Sequence, residues 1–377
     1  MIDVIVVGAG PAGSTAARLL SEQGKVVLIL EKCRFPRPKL CAGGITHKAI
    51  PLLPPGFEEI ELCSHTKATI FYPDRSMAHV DVEGDGPLVH MVERKDFDYY
   101  LLKSALDAGA KLMEGKTVRA AYPEGRNMQV LTSNGEIFQS KYVVAADGCN
   151  SVIRNQVSRY RPRVFSLEAT LRLDNSIDHV ILDFGWIPRG YGWIFPKNGR
   201  ASVGIGMLDY TPEITKLYLD FLKRHGQTSV KPKGYFLPMY SLENSFSHGN
   251  ILFAGDAAHL VDPVTGEGIY QAIKSGSMVA RALSEADDYN AGYRYNRLIK
   301  KNMLPELRRA FFLSKMIYTF PSVSLRAFRL NPDIGRAYAE IISGKGTYRD
   351  LLGPSIMGAW KILKAIVKQL GYRLPSK

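Results

Sequence analysis

Three glycines and one acid carry the first recognisable chemistry in this chain. Gly8, Gly10 and Gly13 follow a strand-like run at residues 3–7, and Glu31 closes a second apolar run 18 residues after Gly13. Between a strand and a helix, Gly8 permits a tight turn, Gly10 lets backbone approach a pyrophosphate, and Gly13 lets the helix lie close to the sheet. The helix N-terminus then faces the phosphates with its free N–H groups, and Glu31 can accept from ribose hydroxyls. Two distant segments narrow the nucleotide to FAD. Residues 145–154, AADGCNSVIR, read as a strand end, an acidic turn at Asp147 and a helix start. Residues 251–269, ILFAGDAAHLVDPVTGEGI, read as a buried strand delivering Asp256 into a cleft, then Gly266 and Gly268 at the start of a long helix predicted over 264–283. A ribityl chain needs an acceptor such as Asp256 for its hydroxyls. A flavin ring gains negative charge near N1 and O2 on reduction and needs donors such as a helix N-terminus.

A second group is aromatic. Tyr191, Trp193 and Phe195 alternate along a strand-like segment, which puts them on one face and Gly192 and Ile194 on the other. At roughly 3.3 Å per residue the three rings span about 13 Å. A wall of that length suits an extended hydrocarbon better than a compact aromatic acid, although the same face could pack a β-sandwich core. The sequence contains no Cys-x-x-Cys pair and no His grouping at metal spacing, so no metal site is expected.

The elements that must position these residues form an interleaved pattern. A length of 377 residues exceeds one small core and fits two closely packed domains. The expected class is α/β. A Rossmann-like FAD-binding domain is assembled from residues 1–61, 93–160 and 246–290. It is interleaved with an antiparallel β-sheet substrate domain from 62–92 and 161–245, where alternation is strong. A basic helical region over 291–377 completes the chain. The first residues carry Asp3 and no basic flank, which predicts a first strand and not a leader. No run of eighteen apolar residues occurs, so no spanning helix is expected. Four cysteines in a chain of this size suggest a reduced, cytoplasmic setting.

The net charge of +13 is uneven. Residues 291–377 hold 17 Lys and Arg against 4 Asp and Glu, and the other 290 residues hold 32 of each sign. A single-sign block is either a solvated helical face or a docking patch for an anionic partner. Within it, Ile356, Trp360, Leu363, Val367 and Leu370 make one apolar helix face flanked by Lys361, Lys364 and Lys368. A helix of that kind either packs on its own protein or lies on an anionic bilayer.

The three flavin segments, in order and spacing across most of the first 290 residues, resemble the p-hydroxybenzoate-hydroxylase-like superfamily. That resemblance implies FAD contacts from Ala12, Glu31, Arg94, the Val118 backbone, Asp256, Gly268 and Ile269. Pro188, Tyr191, Trp193, Phe195 and Pro196 spell the PxxYxWxFP signature of the geranylgeranyl reductase family. KLCAGGI, residues 39–45, is similar to that family's cysteine-containing loop, where Cys41, Ala42 and Gly44 would lie beside the flavin. The halogenase signature WxWxIP is absent. The resemblance implies reduction of isoprenoid C=C bonds by FADH2, with Cys41, Tyr191 and Trp193 as catalytic candidates and Tyr191, Trp193 and Phe195 against the substrate. In archaeal members the substrate is a digeranylgeranylglycerophospholipid; plant and bacterial members act on geranylgeranyl diphosphate or geranylgeranylated chlorophyll. The partners implied are an isoprenoid phospholipid at an anionic membrane surface and either NADPH or reduced ferredoxin as electron donor, with no nucleic acid. Two rivals share the FAD motifs: a monooxygenase of an apolar substrate, and a non-catalytic flavoprotein that carries isoprenoid lipid.

Overall fold

The computed structural model describes residues 1–71, 79–158, 164–173, 177–184, 186–242, 245–284 and 290–352. Its largest sheet has a parallel core. Strand Ile2–Val7 lies between Val27–Glu31 and Ile137–Ala145, and these pair in turn with Lys111–Glu114 and Ile251–Phe253, all in parallel. The register aligns Val7 with Leu30 and Ala145, and Ala145 with Phe253. Gly8, Glu31, Asp147 and Asp256 therefore emerge at one edge, the carboxyl end where open parallel sheets bind ligands. The central strands Ile2–Val7 (from Val4 on) and Val27–Glu31 and the ends of their neighbours at 142–145 and 251–253 are buried, as parallel strands covered on both faces must be; the edge strand Lys111–Glu114 is not. Helix Pro11–Glu22 packs against helix Ile269–Ser284 through small residues. A Cβ on Gly276 would fall 2.5 Å from the Ala12 carbonyl oxygen, so the contact requires glycine there.

The second sheet has seven strands in the order Lys233–Leu237, Val164–Arg172, Arg200–Met207, Gly190–Lys197, Val180–Asp183, Lys67–Phe71, His79–Glu83. Its pairs are antiparallel except Val180–Asp183 with Lys67–Phe71, which run parallel. On one face Ile194, Val203 and Ile205 bury against Tyr218 and Phe221 of helix Ile214–Arg224. Gly192 makes this approach possible, because a Cβ there would lie 2.4 Å from the Phe221 ring. The opposite face carries Tyr191, Trp193 and Phe195.

Two expectations need correction. Cys63–His65 and Val89–Met91, expected in the substrate sheet, belong instead to a separate three-stranded sheet, in which the central Val89–Met91 pairs with Gly44–Thr46 on one side and Cys63–His65 on the other. The long helix begins at Ile269 and not at 264. Asp262 accepts the Val264 and Thr265 N–H groups at 2.8 and 3.1 Å, and this local turn competes with helix. Gly266 then takes φ +69, which lies outside helical space.

Beyond 290 the chain is helical through Ser343, in helices Ala291–Asn302, Leu304–Thr319, Pro321–Leu330 and Pro332–Ser343. The first of these buries Ala291, Tyr295 and Ile299 in the core of the parallel sheet, while later residues cover the second sheet: Tyr318, Tyr338 and Ile341 bury with Ile70, Val82 and Phe184. The amphipathic stretch from Ile356 to Leu370 lies outside the described residues. No helix among the described residues is long and apolar enough to cross a membrane.

Candidate active site

One cavity of about 590 Å³ runs from the glycine turn to the aromatic wall, between the two sheets. At its first end the glycines have separable jobs. Gly8 sits at φ +99, and a Cβ there would lie 2.4 Å from the Ala146 carbonyl oxygen. A Cβ on Gly13 would lie 1.9 Å from the Gly8 carbonyl oxygen. Gly10 differs: the nearest atom to its Cβ position is Arg37 Nη2 at 3.9 Å, so nothing in the protein crowds it. As N-cap of helix Pro11–Glu22, Gly10 supplies no side-chain cap, and the first-turn amides are left to a ligand. Glu31 is buried and already oriented, with Oε2 accepting from Ala9 N–H at 2.8 Å and Oε1 from Cys33 N–H at 2.9 Å. A carboxylate accepts about four hydrogen bonds, so two positions remain for hydroxyls. Ala12 and Val118, both buried, line the same end.

Further in, Arg94 opens helix Arg94–Asp107 and forks onto Asp98, with Nε and Nη2 donating at 2.9 and 3.0 Å. Arg37 donates to the same carboxylate at 3.1 Å. Asp256 faces Lys39 and Arg94; burial pushes its carboxyl above the ordinary aspartate value while these two cations pull it back. Lys39 Nζ lies 3.4 Å from the centre of the Tyr235 ring, and burial lowers its pKa. Asp147 accepts from Val152 N–H at 2.8 Å through Oδ2. Its Oδ1 is buried without a partner among the described residues. Cys41, Ala42, Gly44, Gly266, Gly268 and Ile269 complete the middle of the cavity. Cys41 is a free thiol whose Sγ accepts from Gly43 N–H at 3.5 Å. Glu267 pairs with Lys48 at 2.5 Å and bonds the Thr46 hydroxyl, tying the 262–268 turn to the Cys41 side.

At the far end Tyr191, Trp193 and Phe195 share the cavity face, with the Tyr191 and Trp193 ring centres 5.9 Å apart. Phe184 stacks on Tyr191 at 5.2 Å. The Tyr191 hydroxyl donates to the Thr265 carbonyl at 3.0 Å. Burial raises its pKa, so it stays a neutral donor. Leu182, Val82, Leu88, Tyr338 and Ile342 extend the apolar lining. The structure thus brings every candidate cofactor-binding, catalytic and substrate-facing residue to this one cavity, except Gly13, which packs behind it. Sequence reasoning missed Lys39, Asp98, Glu168, Ser202 and Tyr235. Asp98 was readable as the i+4 partner of Arg94, and Glu168 as a lone acid in the alternating strand VFSLEATLR.

These residues fit FAD. A phosphate would meet the Gly10 face and the free helix amides, ribose hydroxyls would meet Glu31, and the unpartnered Asp147 oxygen and the half-buried Asp256 offer acceptors beyond. The comparisons agree. A family model described as an FAD binding domain matches residues 1–167 and 236–293. A digeranylgeranylglycerophospholipid reductase of Methanopyrus kandleri is 32% identical over 364 residues, covering 86% of this chain and 89% of that one. The chain belongs to the geranylgeranyl reductase family of FAD-binding proteins. A menaquinone reductase of Mycobacterium tuberculosis is 29% identical over 76% of this chain and 77% of its own. Among solved structures, a geranylgeranyl bacteriochlorophyll reductase-like protein from Thermoplasma acidophilum superposes with a TM-score of 0.77. It covers 98% of both chains at 23% identity, a likeness of fold. As a member of this family, the chain is an FAD-dependent oxidoreductase.

Proposed function

We propose that this protein reduces isoprenoid C=C bonds in a digeranylgeranylglycerophospholipid, converting geranylgeranyl chains to phytanyl-type chains. The observation that carries the reading is the continuity of one cavity, from a nucleotide-fitting glycine and acid end to an apolar wall of Tyr191, Trp193 and Phe195. Bound FAD, once reduced, supplies the hydride. The protein's residues do the rest. The aromatic wall and Leu182 hold an extended tail and exclude water, and the Tyr191–Thr265 bond fixes the wall to the 262–268 turn. An isolated alkene has no carbonyl to polarise, so positive charge develops on its tertiary carbon as the bond is protonated. Faces such as that of Trp193 stabilise such charge by about 0.5–2 kcal/mol. The relative named as a digeranylgeranylglycerophospholipid reductase supports this substrate; the relative named as a menaquinone reductase makes a prenylated quinone its nearest competitor.

A lipid substrate places the work at a membrane surface. Helix Leu304–Thr319 exposes Arg308, Phe312 and Lys315 at i, i+4 and i+7, a basic face with an apolar ring suited to anionic headgroups. Electrons arrive from NADPH or from an acidic ferredoxin docking on the same basic region. Lipid extracted from the purified protein and analysed by mass spectrometry tests the substrate. The reading expects partly saturated isoprenoid glycerophospholipid; a prenylated quinone in its place would overturn it. Flotation with anionic liposomes tests the surface role and should weaken after Phe312→Ser with Lys315→Glu. Unchanged flotation would remove the membrane from the account.

A further inference from the structure

Beside the aromatic wall lies a carboxyl that the nucleotide end does not use. Glu168, on strand Val164–Arg172, is 7% exposed and lines the same cavity as Trp193 and Arg94. Register accounts for its position. Trp193 pairs with Gly204, and Gly204 with Glu168, so the three form one row across adjacent strands and share a face. A Cβ on Gly204 would lie 2.3 Å from Trp193 Cζ2; only glycine lets the indole lie flat across that strand. Lying there, Trp193 Nε1 donates to Ser202 Oγ at 3.3 Å, and Ser202 donates to Glu168 Oε1 at 2.7 Å. An indole N–H only donates, so the Ser202 hydroxyl accepts from Trp193 and keeps its own proton to direct at Oε1. In that arrangement a proton carried by Glu168 sits on Oε2.

We propose that Glu168 is the proton donor to the alkene, held in place by the Trp193–Ser202 chain. The inference rests on the function proposed above. The Glu168 O–H bond breaks as a C–H bond forms at one alkene carbon; hydride from the reduced flavin forms the second C–H bond at the tertiary carbon. Glu168 is left as carboxylate and regains its proton from solvent, so one C=C bond consumes one proton and one hydride. Burial favours the neutral acid, raising Glu168 above the ordinary glutamate value against the Ser202 hydrogen bond and the cations Lys197, Arg94 and Lys39. The Tyr218 hydroxyl also feels its charge, and Lys233 is its partner on the neighbouring strand. Ser202 acts as a positioning residue.

The test uses the FAD-loaded full chain. Glu168→Gln keeps the acceptor for Ser202 but has no acid to give. It should bind FAD as the wild type does and lose about 100-fold or more in alkene reduction, the range general acids supply. Glu168→Asp should recover part of that loss and keep the wild-type shape of the pH profile. A readout independent of turnover is the infrared band of a protonated carboxyl. It should be present in the wild type, shifted in Ser202→Ala and missing in Glu168→Gln. Full turnover by Glu168→Gln, or identical infrared spectra for that variant and the wild type, would overturn the proposal. Failure of the wild type to reduce any isoprenoid alkene would instead overturn the functional reading, and the infrared comparison would then decide alone whether Glu168 holds a proton to give.

Discussion

Gly10→Ala separates nucleotide binding from folding at a single position. Gly10 has φ −77 and ψ −177, a backbone that alanine adopts without strain. An alanine Cβ there meets nothing nearer than Arg37 Nη2 at 3.9 Å. Two small effects on the apoprotein oppose each other: alanine is a poorer N-cap than glycine, and it lowers unfolded-chain entropy by about 0.4–1 kcal/mol. Apoprotein stability should thus stay within about 1 kcal/mol of wild type. The methyl does, however, stand on the face where a pyrophosphate must approach backbone. Crowding of that kind costs about 1–3 kcal/mol, roughly 5- to 150-fold in dissociation constant. Gly13→Ala is the contrast, because its Cβ would fall 1.9 Å from the Gly8 carbonyl oxygen. It should destabilise the apoprotein itself by about 1–3 kcal/mol or more. Denaturant titration of both apoproteins, with FAD binding followed by flavin fluorescence, measures the two quantities separately. Wild-type FAD affinity in Gly10→Ala would refute the assignment of this turn to the pyrophosphate.

Four further outcomes follow from the same geometry. Trp193→Leu should slow substrate-driven reoxidation of the reduced flavin by roughly 2- to 30-fold, the kinetic equivalent of about 0.5–2 kcal/mol of cation stabilisation; a change confined to lipid affinity would reduce Trp193 to a wall. Asp98→Asn should cost about 3–5 kcal/mol in urea denaturation, since it strands the buried Arg94. Asp209→Asn, facing the exposed Arg189, should cost less than about 1 kcal/mol. Asp256 supplies a pH signature. Its folded pKa is raised above the ordinary 3.8 by burial, so across that window the folded state holds more protons than the unfolded state and stability falls as pH rises. The wild-type apoprotein should therefore lose Tm relative to Asp256→Asn as pH climbs from 3.8 through the raised value, and match it below. Parallel curves would show that the Asp256 carboxyl is not desolvated.

The nucleotide half of this molecule was legible because its chemistry is local. Gly13 and Glu31 act within one strand–helix–strand unit, against the Gly8 carbonyl and the Ala9 amide, and their reasons can be read from spacing alone. The aromatic face was legible because a strand alternates with period two, and Ile194 and Gly192 indeed bury on the opposite side. What the sequence hid depends on register between strands far apart in the chain. Glu168 meets Trp193 only through Gly204, and Lys39 meets Tyr235 only because the loop before Gly44 lies against the edge strand Lys233–Leu237 of the second sheet. The misplaced helix start at 264 has a local origin: the Asp262 side chain captures two backbone amides, which apolar periodicity cannot reveal. Assignment of Cys63–His65 and Val89–Met91 to the wrong sheet reflects alternation itself, which identifies a strand and not its neighbour.

The most direct measurement is a single anaerobic turnover. The FAD-loaded protein is reduced with dithionite, freed of excess reductant, and mixed with a digeranylgeranylglycerophospholipid in vesicles. The account predicts return of the oxidised flavin spectrum together with product heavier by two hydrogens for each double bond reduced. A flavin that stays reduced until air is admitted, with the lipid recovered unchanged, would contradict it.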